Sequence, residues 1–288
     1  MTFFDVLCKI LPWFVFLILG NKNDELLAIY NIKIWLCIGK LNTLGEFVKG
    51  RVHSIETFGT VDGPGIRYVI FLQGCKFRCA YCHNPDTWEL AGGSEKDSME
   101  LISDIIRYKR YIEGITITGG EPLLQIDFVK EIFTLAKENG LSTCLDTSGS
   151  VFDKDNLETL DKMDELMKVC DLVMLDIKHI DNNRHKELTG QGNEKVLDFA
   201  RYLASINQDV WLRYVLVPGI NDGEEHLLEW KSLADSLGNV RKIELLPYHT
   251  MGVHKYKELG IPYRLEGVES PSKESMNKAN NILGIGEK

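Results

Sequence analysis

From Gly50 onwards, short apolar runs rich in β-branched residues alternate with longer segments in which apolar residues recur every three or four positions. A short apolar run predicts a buried strand, and the longer period predicts an amphipathic helix. Six strands are predicted, at 67–73, 114–118, 141–147, 171–177, 210–217 and 240–248. Six helices are predicted, at 98–112 with Ser98 as N-cap, 127–140, 157–169, 194–207, 223–237 and 272–283.

This alternation is typical of repeated βα units, which form a parallel sheet covered by helices. Six such units are too few for a closed eight-stranded barrel. They suffice for an open, partial barrel or for a doubly wound sheet, and both architectures place their chemistry at the carboxyl ends of the strands. The pattern therefore predicts an α/β fold with its functional residues just after the strands.

Residues 1–49 do not follow this pattern. An apolar run at 10–20 comes after Asp5 and Lys9, is too short to span a bilayer comfortably, and lacks a small-residue cleavage site. It is interpreted either as a membrane anchor or export signal, or as a poorly ordered extension or a start codon assigned too far upstream. The fold prediction excludes this extension and assigns residues 50–288 to one domain.

Composition narrows the class of protein. With 44% hydrophobic residues in 288, the chain can form a large core without disulfides. The net charge of −9 argues against nucleic acid as a partner, because phosphate binding needs a basic face. Seven cysteines, three of them in one short loop, do not resemble a secreted disulfide framework. A reducing cytoplasm fits this cysteine pattern better.

Unusual polar or cysteine-containing segments follow each of the six predicted strands. Because the carboxyl ends of parallel strands meet at one edge of a sheet, these segments predict a single site. In chain order they are 74–84, 119–122, 146–149, 176–179, 218–222 and 247–252.

The first of these segments contains Cys75, Cys79 and Cys82. Thiolates are soft ligands that suit zinc, copper(I) and iron-sulfur clusters. A zinc site would need a fourth ligand, and His83 is adjacent to Cys82, which makes a shared ion geometrically awkward. A disulfide with a spare thiol is a further alternative. The spacing favours three irons of a cubane cluster, with the fourth iron left without a protein ligand.

The segment "CKFRCAYC" (75–82) resembles the CxxxCxxC signature of the radical S-adenosylmethionine superfamily, including Tyr81 before the third cysteine, and "GGEP" (119–122) adds to the resemblance. The stretch from about 50 to 286 resembles one branch closely, the family of activating enzymes of pyruvate formate-lyase. The segments that carry this likeness are 50–75, 81–88, 143–149, 171–179, 211–219 and 240–256.

The resemblance implies a partial, open (β/α)6 TIM-like barrel, a 4Fe-4S cluster and S-adenosyl-L-methionine. The open iron would chelate the methionyl amino and carboxylate groups, and reductive cleavage would yield a 5'-deoxyadenosyl radical. That radical would abstract a hydrogen atom from a glycine Cα of pyruvate formate-lyase. Flavodoxin or ferredoxin is implied as the reductant. We further expect a monomer with no nucleic-acid or membrane partner.

The resemblance also assigns residues to roles. Asp62 would lie near the glycine loop of the partner enzyme. Apart from the resemblance, Arg213 is the only charge in its strand, and because burying it alone is costly it would pair with a carboxylate of the cofactor or of the Asp176 region. The cluster ligands are Cys75, Cys79 and Cys82. S-adenosylmethionine would contact Tyr81, Cys82, His83, Gly119, Gly120, Glu121, Asp176, Ile177, Lys178, Arg213 and His249. A monovalent cation, Na⁺ or K⁺, would bind Asp146, Thr147, Met174 and Asp176.

Three alternatives stay open at this point. Other glycyl-radical activases commonly carry a cysteine-rich insert, and no cysteine lies between Cys82 and Cys144, which favours the pyruvate formate-lyase type. A cluster-containing electron-transfer protein would more often ligate its cluster fully. A radical reaction on a small molecule is the third alternative.

Overall fold

The computed structural model describes residues 47–286, and eight strands in this part of the chain form one mixed sheet. The apolar run at 10–20 lies outside the described residues. None of the helices within 47–286 is long and apolar enough to cross a membrane. The strands are β1 (Lys49–Gly59), β2 (Arg67–Leu72), β3 (Ser94–Asp97), β4 (Gly114–Gly119), β5 (Ser142–Thr147), β6 (Leu172–Asp176), β7 (Val210–Leu216) and β8 (Val240–Pro247).

The helices follow the strands in βα order. Two short 3₁₀ turns, Pro85–Thr87 and Pro122–Gln125, lie in the loops after β2 and β4. The α-helices of the described chain are α1 (Ser98–Tyr108), α2 (Ile126–Glu138), α3 (Leu157–Met167), α4 (Asn182–Thr189), α5 (Glu194–Ser205), α6 (Glu224–Ser236), α7 (Val253–Leu259) and α8 (Lys273–Leu283).

Six strands run parallel in the order β2-β4-β5-β6-β7-β8, and β1 and β3 extend the sheet antiparallel beyond β2. Adjacent parallel strands need long crossover connections, which the helices supply. Among the described strands, β3 and β8 are the two ends of the sheet and do not pair with each other. The expected partial, open (β/α)6 barrel is therefore confirmed.

Strand alternation separates a covered face from an inner face. On β7, Leu212 and Tyr214 are buried beneath the helices, while Arg213 and Val215 point to the other side and line the barrel interior. Because successive strand residues point to opposite faces, each parallel strand presents one apolar row to the helices and one row to the interior. The residues that are expected to carry chemistry lie in the interior row.

All six predicted strands are present with ends within about one residue of the prediction. The antiparallel strands β1 and β3 and the short helices α4 and α7 were not predicted. Ser98 as the N-cap of α1 was wrong: Asp97 is the N-cap, and its carboxylate accepts a 2.8 Å hydrogen bond from the backbone N–H of Met99. An acidic cap one residue earlier satisfies a free N–H of the first turn.

Candidate active site

A cleft of about 480 Å³ opens at the carboxyl ends of the parallel strands. Its volume is within the usual range of small-molecule pockets. Glu121, Met174 and Ile177 do not line it. The other predicted site residues do: Asp62, Cys75, Cys79, Tyr81, Cys82, His83, Gly119, Gly120, Asp146, Thr147, Asp176, Lys178, Arg213 and His249.

The cysteine loop after β2 forms one wall of the cleft and is held by backbone hydrogen bonds from two sides. The N–H of Cys75 donates to the carbonyl of Trp88 over 3.2 Å, and the N–H of Ala80 donates to the carbonyl of Leu188 over 2.9 Å. Leu188 belongs to α4, so this helix supports the loop from behind. The loop backbone is thereby fixed while its cysteine side chains face the cleft.

The three thiols are free and partly or fully buried. Burial raises the pKa of Cys75 and Cys79 to about 12 and also raises the pKa of Cys82. Lys178 lowers all three pKa values but does not offset burial. Thiolates here therefore need further positive charge beside them, and bound metal ions would supply it. Three soft donors in one wall fit an iron-sulfur cluster.

Within residues 47–286, no group of three or more His, Cys, Asp and Glu side chains is arranged to hold a metal ion. The three thiols nevertheless line the same cleft, with Cys79 buried and Cys75 and Cys82 partly exposed to it.

Gly119 and Gly120 bring the end of β4 against the cysteine loop. Gly119 has a φ of +123°, and a Cβ there would lie 2.2 Å from the backbone nitrogen of Leu72. A Cβ on Gly120 would lie 2.2 Å from the carbonyl oxygen of Gly74 and 3.1 Å from the Cβ of Cys75. The two approaches of 2.2 Å are too close for any side chain. Glycine is therefore required at both positions for the backbones to pack together. Contact of these glycines with a ligand stays a prediction.

Two carboxylates and two cations meet at the ends of β5, β6 and β7. The Nε of Arg213 lies 3.1 Å from Oδ1 of Asp176, and its Nη2 donates to Asp146. Lys178 Nζ lies 3.1 Å from Oδ2 of the same Asp176. All four side chains are less than one-fifth exposed. Of the two partners expected for Arg213, the structure shows a carboxylate of the Asp176 region, and pairing with the cofactor stays a prediction.

The environments of these two carboxylates differ. Burial disfavours the charge of Asp176, but Arg213 and Lys178 outweigh burial and lower its pKa to about 2. Burial raises the pKa of Asp146, and Asp176 adds to that effect, so Arg213 only partly compensates. The pKa of Arg213 lies well above its ordinary value because both carboxylates outweigh the burial of the guanidinium. Asp176 is thus the more firmly ionised member of the pair.

Glu121 is fully buried behind the cleft, where its oxygens accept from the protein itself. The hydroxyls of Thr147 and Ser148 each donate to it over 2.5 Å, and the N–H of Leu123 donates over 3.1 Å. Burial nevertheless raises its pKa. Glu121 therefore joins the end of β4 to the end of β5. The direct ligand contact predicted for it stays a prediction.

Met174 and Ile177 lie beneath the surface of the cleft. Met174 packs in a small cluster with Cys144 and Leu172. The carbonyl of Ile177 accepts from Trp230 Nε1 over 3.1 Å, and its N–H donates to the carbonyl of Arg213 over 3.3 Å. Both polar groups of the Ile177 backbone are therefore used within the protein.

Three ring side chains, those of Tyr81, His83 and His249, form an aromatic wall of the cleft beside the charged network. The rings of His83 and His249 stack with centroids 4.0 Å apart, and Lys178 Nζ lies 5.6 Å from the ring centre of Tyr81. The hydroxyl of Tyr81 and Nδ1 of His249 are buried, and neither has a hydrogen-bond partner in the described part of the chain. Buried polar atoms usually have partners, so these two atoms are exceptions that stand at the residues lining the cleft.

Asp62 enters the cleft from the loop between β1 and β2. The hydroxyl of Thr116 donates to its backbone carbonyl over 2.5 Å, which holds the loop against β4. Burial and the nearby Asp146 raise the pKa of the Asp62 carboxyl. The loop thus adds an acidic side chain to a cleft that already contains two.

Thr118 was not predicted as a site residue. It lines the cleft, and its hydroxyl donates to Oδ2 of Asp146 over 2.7 Å. The alternation of "GITITG" in β4 places Thr116 and Thr118 on the inner face together. That alternation is the signal that could have identified it.

Comparisons with known proteins show which family this chain resembles. The Radical SAM superfamily model matches residues 69–230. The pyruvate formate-lyase-activating enzyme of Listeria monocytogenes serovar 1/2a is 48% identical over 240 residues, which cover 82% of this chain and 96% of that protein. The enzyme of the same name from Staphylococcus epidermidis is 49% identical over 247 residues, covering 84% and 98%.

A solved radical SAM methyltransferase from Sphaerobacter thermophilus has a TM-score of 0.56 and 17% identity, over 84% of this chain and 71% of that chain. This likeness concerns the fold alone. The family model covers more than half of the chain, and the two relatives match nearly all of their own length. The chain therefore belongs to the radical S-adenosylmethionine superfamily and, within it, to the family of pyruvate formate-lyase-activating enzymes.

Proposed function

We propose that this protein activates pyruvate formate-lyase by generating a glycyl radical on it. One observation carries the proposal: three free cysteines and a buried pair of carboxylates with their cations line the same cleft. The near-complete match to activating enzymes of that name supports the choice of substrate. The 4Fe-4S cluster and S-adenosylmethionine follow from family membership.

Cys75, Cys79 and Cys82 would hold three irons of the cluster and leave the fourth iron to the substrate. When bound, the cluster supplies one electron to the sulfonium of S-adenosylmethionine, which releases methionine and a 5'-deoxyadenosyl radical that takes a hydrogen atom from the glycine Cα. The products are 5'-deoxyadenosine and the glycyl radical. The protein contributes position, charge and exclusion of water.

Around the cleft, the chain offers partners for each part of S-adenosylmethionine. The cations Lys178 and Arg213 suit the methionyl carboxylate and the ribose hydroxyls. The aromatic wall suits the adenine, since stacked rings offer a flat apolar surface. The unpartnered Tyr81 hydroxyl and His249 Nδ1 would then gain hydrogen-bond partners from the bound ligand.

A monovalent cation at Asp146, Thr147, Met174 and Asp176 is part of the proposal. Three carboxylates, those of Asp62, Asp146 and Asp176, face two cations, Arg213 and Lys178, in the cleft. The methionyl carboxylate would add another negative charge. Na⁺ or K⁺ beside Asp146 and Asp176 would offset the repulsion between these carboxylates and the methionyl carboxylate.

Further parts of the proposal concern the cellular setting. Asp62 at the cleft would contact the glycine loop of pyruvate formate-lyase. Flavodoxin or ferredoxin would deliver the electron in the cytoplasm, and the protein would act as a monomer. The support for these parts is the family membership and the position of Asp62.

Anaerobic reconstitution tests the proposal. The cluster-loaded protein would be reduced, mixed with S-adenosylmethionine and pyruvate formate-lyase, and examined by EPR. We expect a glycyl doublet with wild-type protein and none with the Cys79→Ala variant. 5'-Deoxyadenosine without any doublet would instead support a small-molecule substrate, and a protein that binds one zinc ion at these cysteines would refute the cluster.

A further inference from the structure

The outer side of the cysteine loop is covered by α4. Besides the contact from Ala80, the N–H of Arg78 donates to the carbonyl of Thr189 over 2.7 Å, and Nε2 of Gln191 donates to the carbonyl of Lys76 over 2.9 Å. The loop therefore lies between the cleft on one side and α4 on the other. A protein bound on α4 would approach the cysteines without entering the cleft.

This outer side carries an excess of positive charge. We call it the basic face; its cations are Lys76, Arg78, Arg184, Lys186 and Arg264, all of them exposed. In segments 76–80, 181–190 and 264–266, the opposing charges are Asp181, Glu187 and Glu266. These segments thus have five cations and three anions, an excess of two positive charges in a chain whose net charge is −9.

The cations are held close together by the backbone. The guanidinium of Arg264 donates to the carbonyl of Arg78 over 3.0 Å and also to the carbonyl of Glu187. Arg184 and Arg264 line one shallow depression together with Ala80 of the cysteine loop. Because carbonyl contacts leave the charges of Arg78 and Arg264 uncompensated, the positive potential of the face is retained.

We propose that the basic face is the docking site of an acidic electron-donor protein. The proposal rests on the proposed function, which requires one electron for each cleavage. The donor loses one electron, the cluster held by Cys75, Cys79 and Cys82 gains it, and no bond in this chain forms or breaks. Complementary charge steers an acidic partner to this face and orients it over the cysteine loop.

The arrangement also explains why the positive charge lies on this side of the loop. The residues of the basic face are not among those that line the cleft. A donor on the basic face would therefore not contact the residues that line the cleft.

A charge-matched pair of variants tests the proposal. The double variant Arg184→Gln, Lys186→Gln removes two exposed cations of α4. Within this helix it breaks one ion pair, the 3.6 Å contact of Arg184 with Glu187. Lys109→Gln with Arg110→Gln removes the same charge just before β4 begins, at the opposite end of the parallel strands. Neither pair belongs to the cleft.

Binding of oxidised, acidic flavodoxin would be measured by titration at low and high ionic strength, with both cluster-loaded and cluster-free protein. We expect the α4 variant to bind at least about threefold more weakly at low salt and to lose part of the salt dependence, because rim charges act mainly through long-range attraction. The control variant should bind like wild type. Reduction by the small cation methyl viologen radical should be equal in all three proteins.

Equal flavodoxin binding by the two variants, or binding that does not weaken with salt, would overturn the proposal. Slower reduction of the α4 variant by methyl viologen would also overturn it, since the change would then lie in the cluster and not in docking. A failure of the proposed function is distinguishable, because it would abolish the glycyl doublet and leave the binding difference between the variants unchanged.

Discussion

Arg213 and Asp176 face each other directly across β6 and β7 and form a two-point ion pair, with Nε to Oδ1 at 3.1 Å and Nη2 to Oδ2 at 3.2 Å. The same guanidinium reaches Asp146 on β5. One side chain therefore connects three neighbouring strands at the edge where the cleft opens. Its removal would take a cation away from two largely buried carboxylates.

Arg213→Leu is expected to lower the free energy of unfolding of the cluster-free protein by about 3–5 kcal/mol, because Asp146 loses its cation and Asp176 keeps only Lys178. Urea unfolding measures this change. Arg241→Leu is the matched control: its pair with Asp209 is about half exposed, and its loss should cost about 1 kcal/mol or less. Equal losses in the two variants would contradict the structural role of Arg213.

Glu121→Ala is expected to lower the free energy of unfolding by at least about 2 kcal/mol, because buried donors of Thr147 and Ser148 lose their acceptor. Glu121→Gln, which keeps one acceptor oxygen, should lose less. The control Glu158→Ala removes a side chain that is 80% exposed and should change stability by about 0.5 kcal/mol or less. A Glu121→Ala variant as stable as wild type would show that Glu121 does not join β4 to β5.

Gly120→Ala is expected to displace the cysteine loop, because its Cβ would lie 2.2 Å from the carbonyl oxygen of Gly74. The reconstituted variant should contain much less iron and sulfide than wild type. Gly223→Ala is the control, because a Cβ at this position would meet only the side chain of His226, at 3.4 Å. This variant should contain as much iron as wild type. Full iron content in the Gly120 variant would contradict the close packing of β4 against the loop.

His179 is fully buried, and its Nδ1 accepts from the N–H of Asp181 over 3.0 Å. Burial, together with the nearby His226, lowers its pKa to about 4. An unfolded histidine titrates near pH 6.5, so between about pH 6.5 and 4 only the unfolded state binds this proton. The free energy of unfolding should therefore fall with decreasing pH in this window, by up to about 1.4 kcal/mol per pH unit.

The variant His179→Asn keeps an oxygen acceptor and removes the titration. Urea unfolding between pH 4 and 7.5 would measure the free energy of unfolding of this variant. Its slope against pH should be smaller than that of wild type, by an amount equivalent to at most one proton taken up on unfolding. The control His254→Asn makes the same substitution at an exposed histidine, and the two variants are compared with wild type. An unchanged slope in the His179 variant would refute the lowered pKa.

Much of the fold was predictable because the parallel strands are short apolar runs buried on both sides, as in β4, where five consecutive residues are buried. β1 was not predicted, because it pairs at the edge of the parallel set and its Ser54–Glu56 segment is exposed, which blurs the pattern. Helix α4 has a mostly polar sequence and forms by packing on the cysteine loop.

The site was predictable where strand ends carry unusual residues, as for Cys75 and Asp176. It was less predictable where a motif residue turns inward. Glu121 stands in a glycine-rich loop as a candidate ligand would, yet its carboxylate is enclosed by hydroxyl donors from β5. That arrangement depends on a pairing between distant loops, which spacing along the chain does not reveal.

The most direct test of the central claim is the transfer of hydrogen from the partner to the nucleoside. Pyruvate formate-lyase labelled with deuterium at glycine Cα would be incubated with the reduced, cluster-loaded protein and S-adenosylmethionine, and the released 5'-deoxyadenosine would be analysed by mass spectrometry. The account predicts one deuterium in the nucleoside formed as the glycyl radical appears. Nucleoside without deuterium, formed at the same rate with or without the partner, would contradict it.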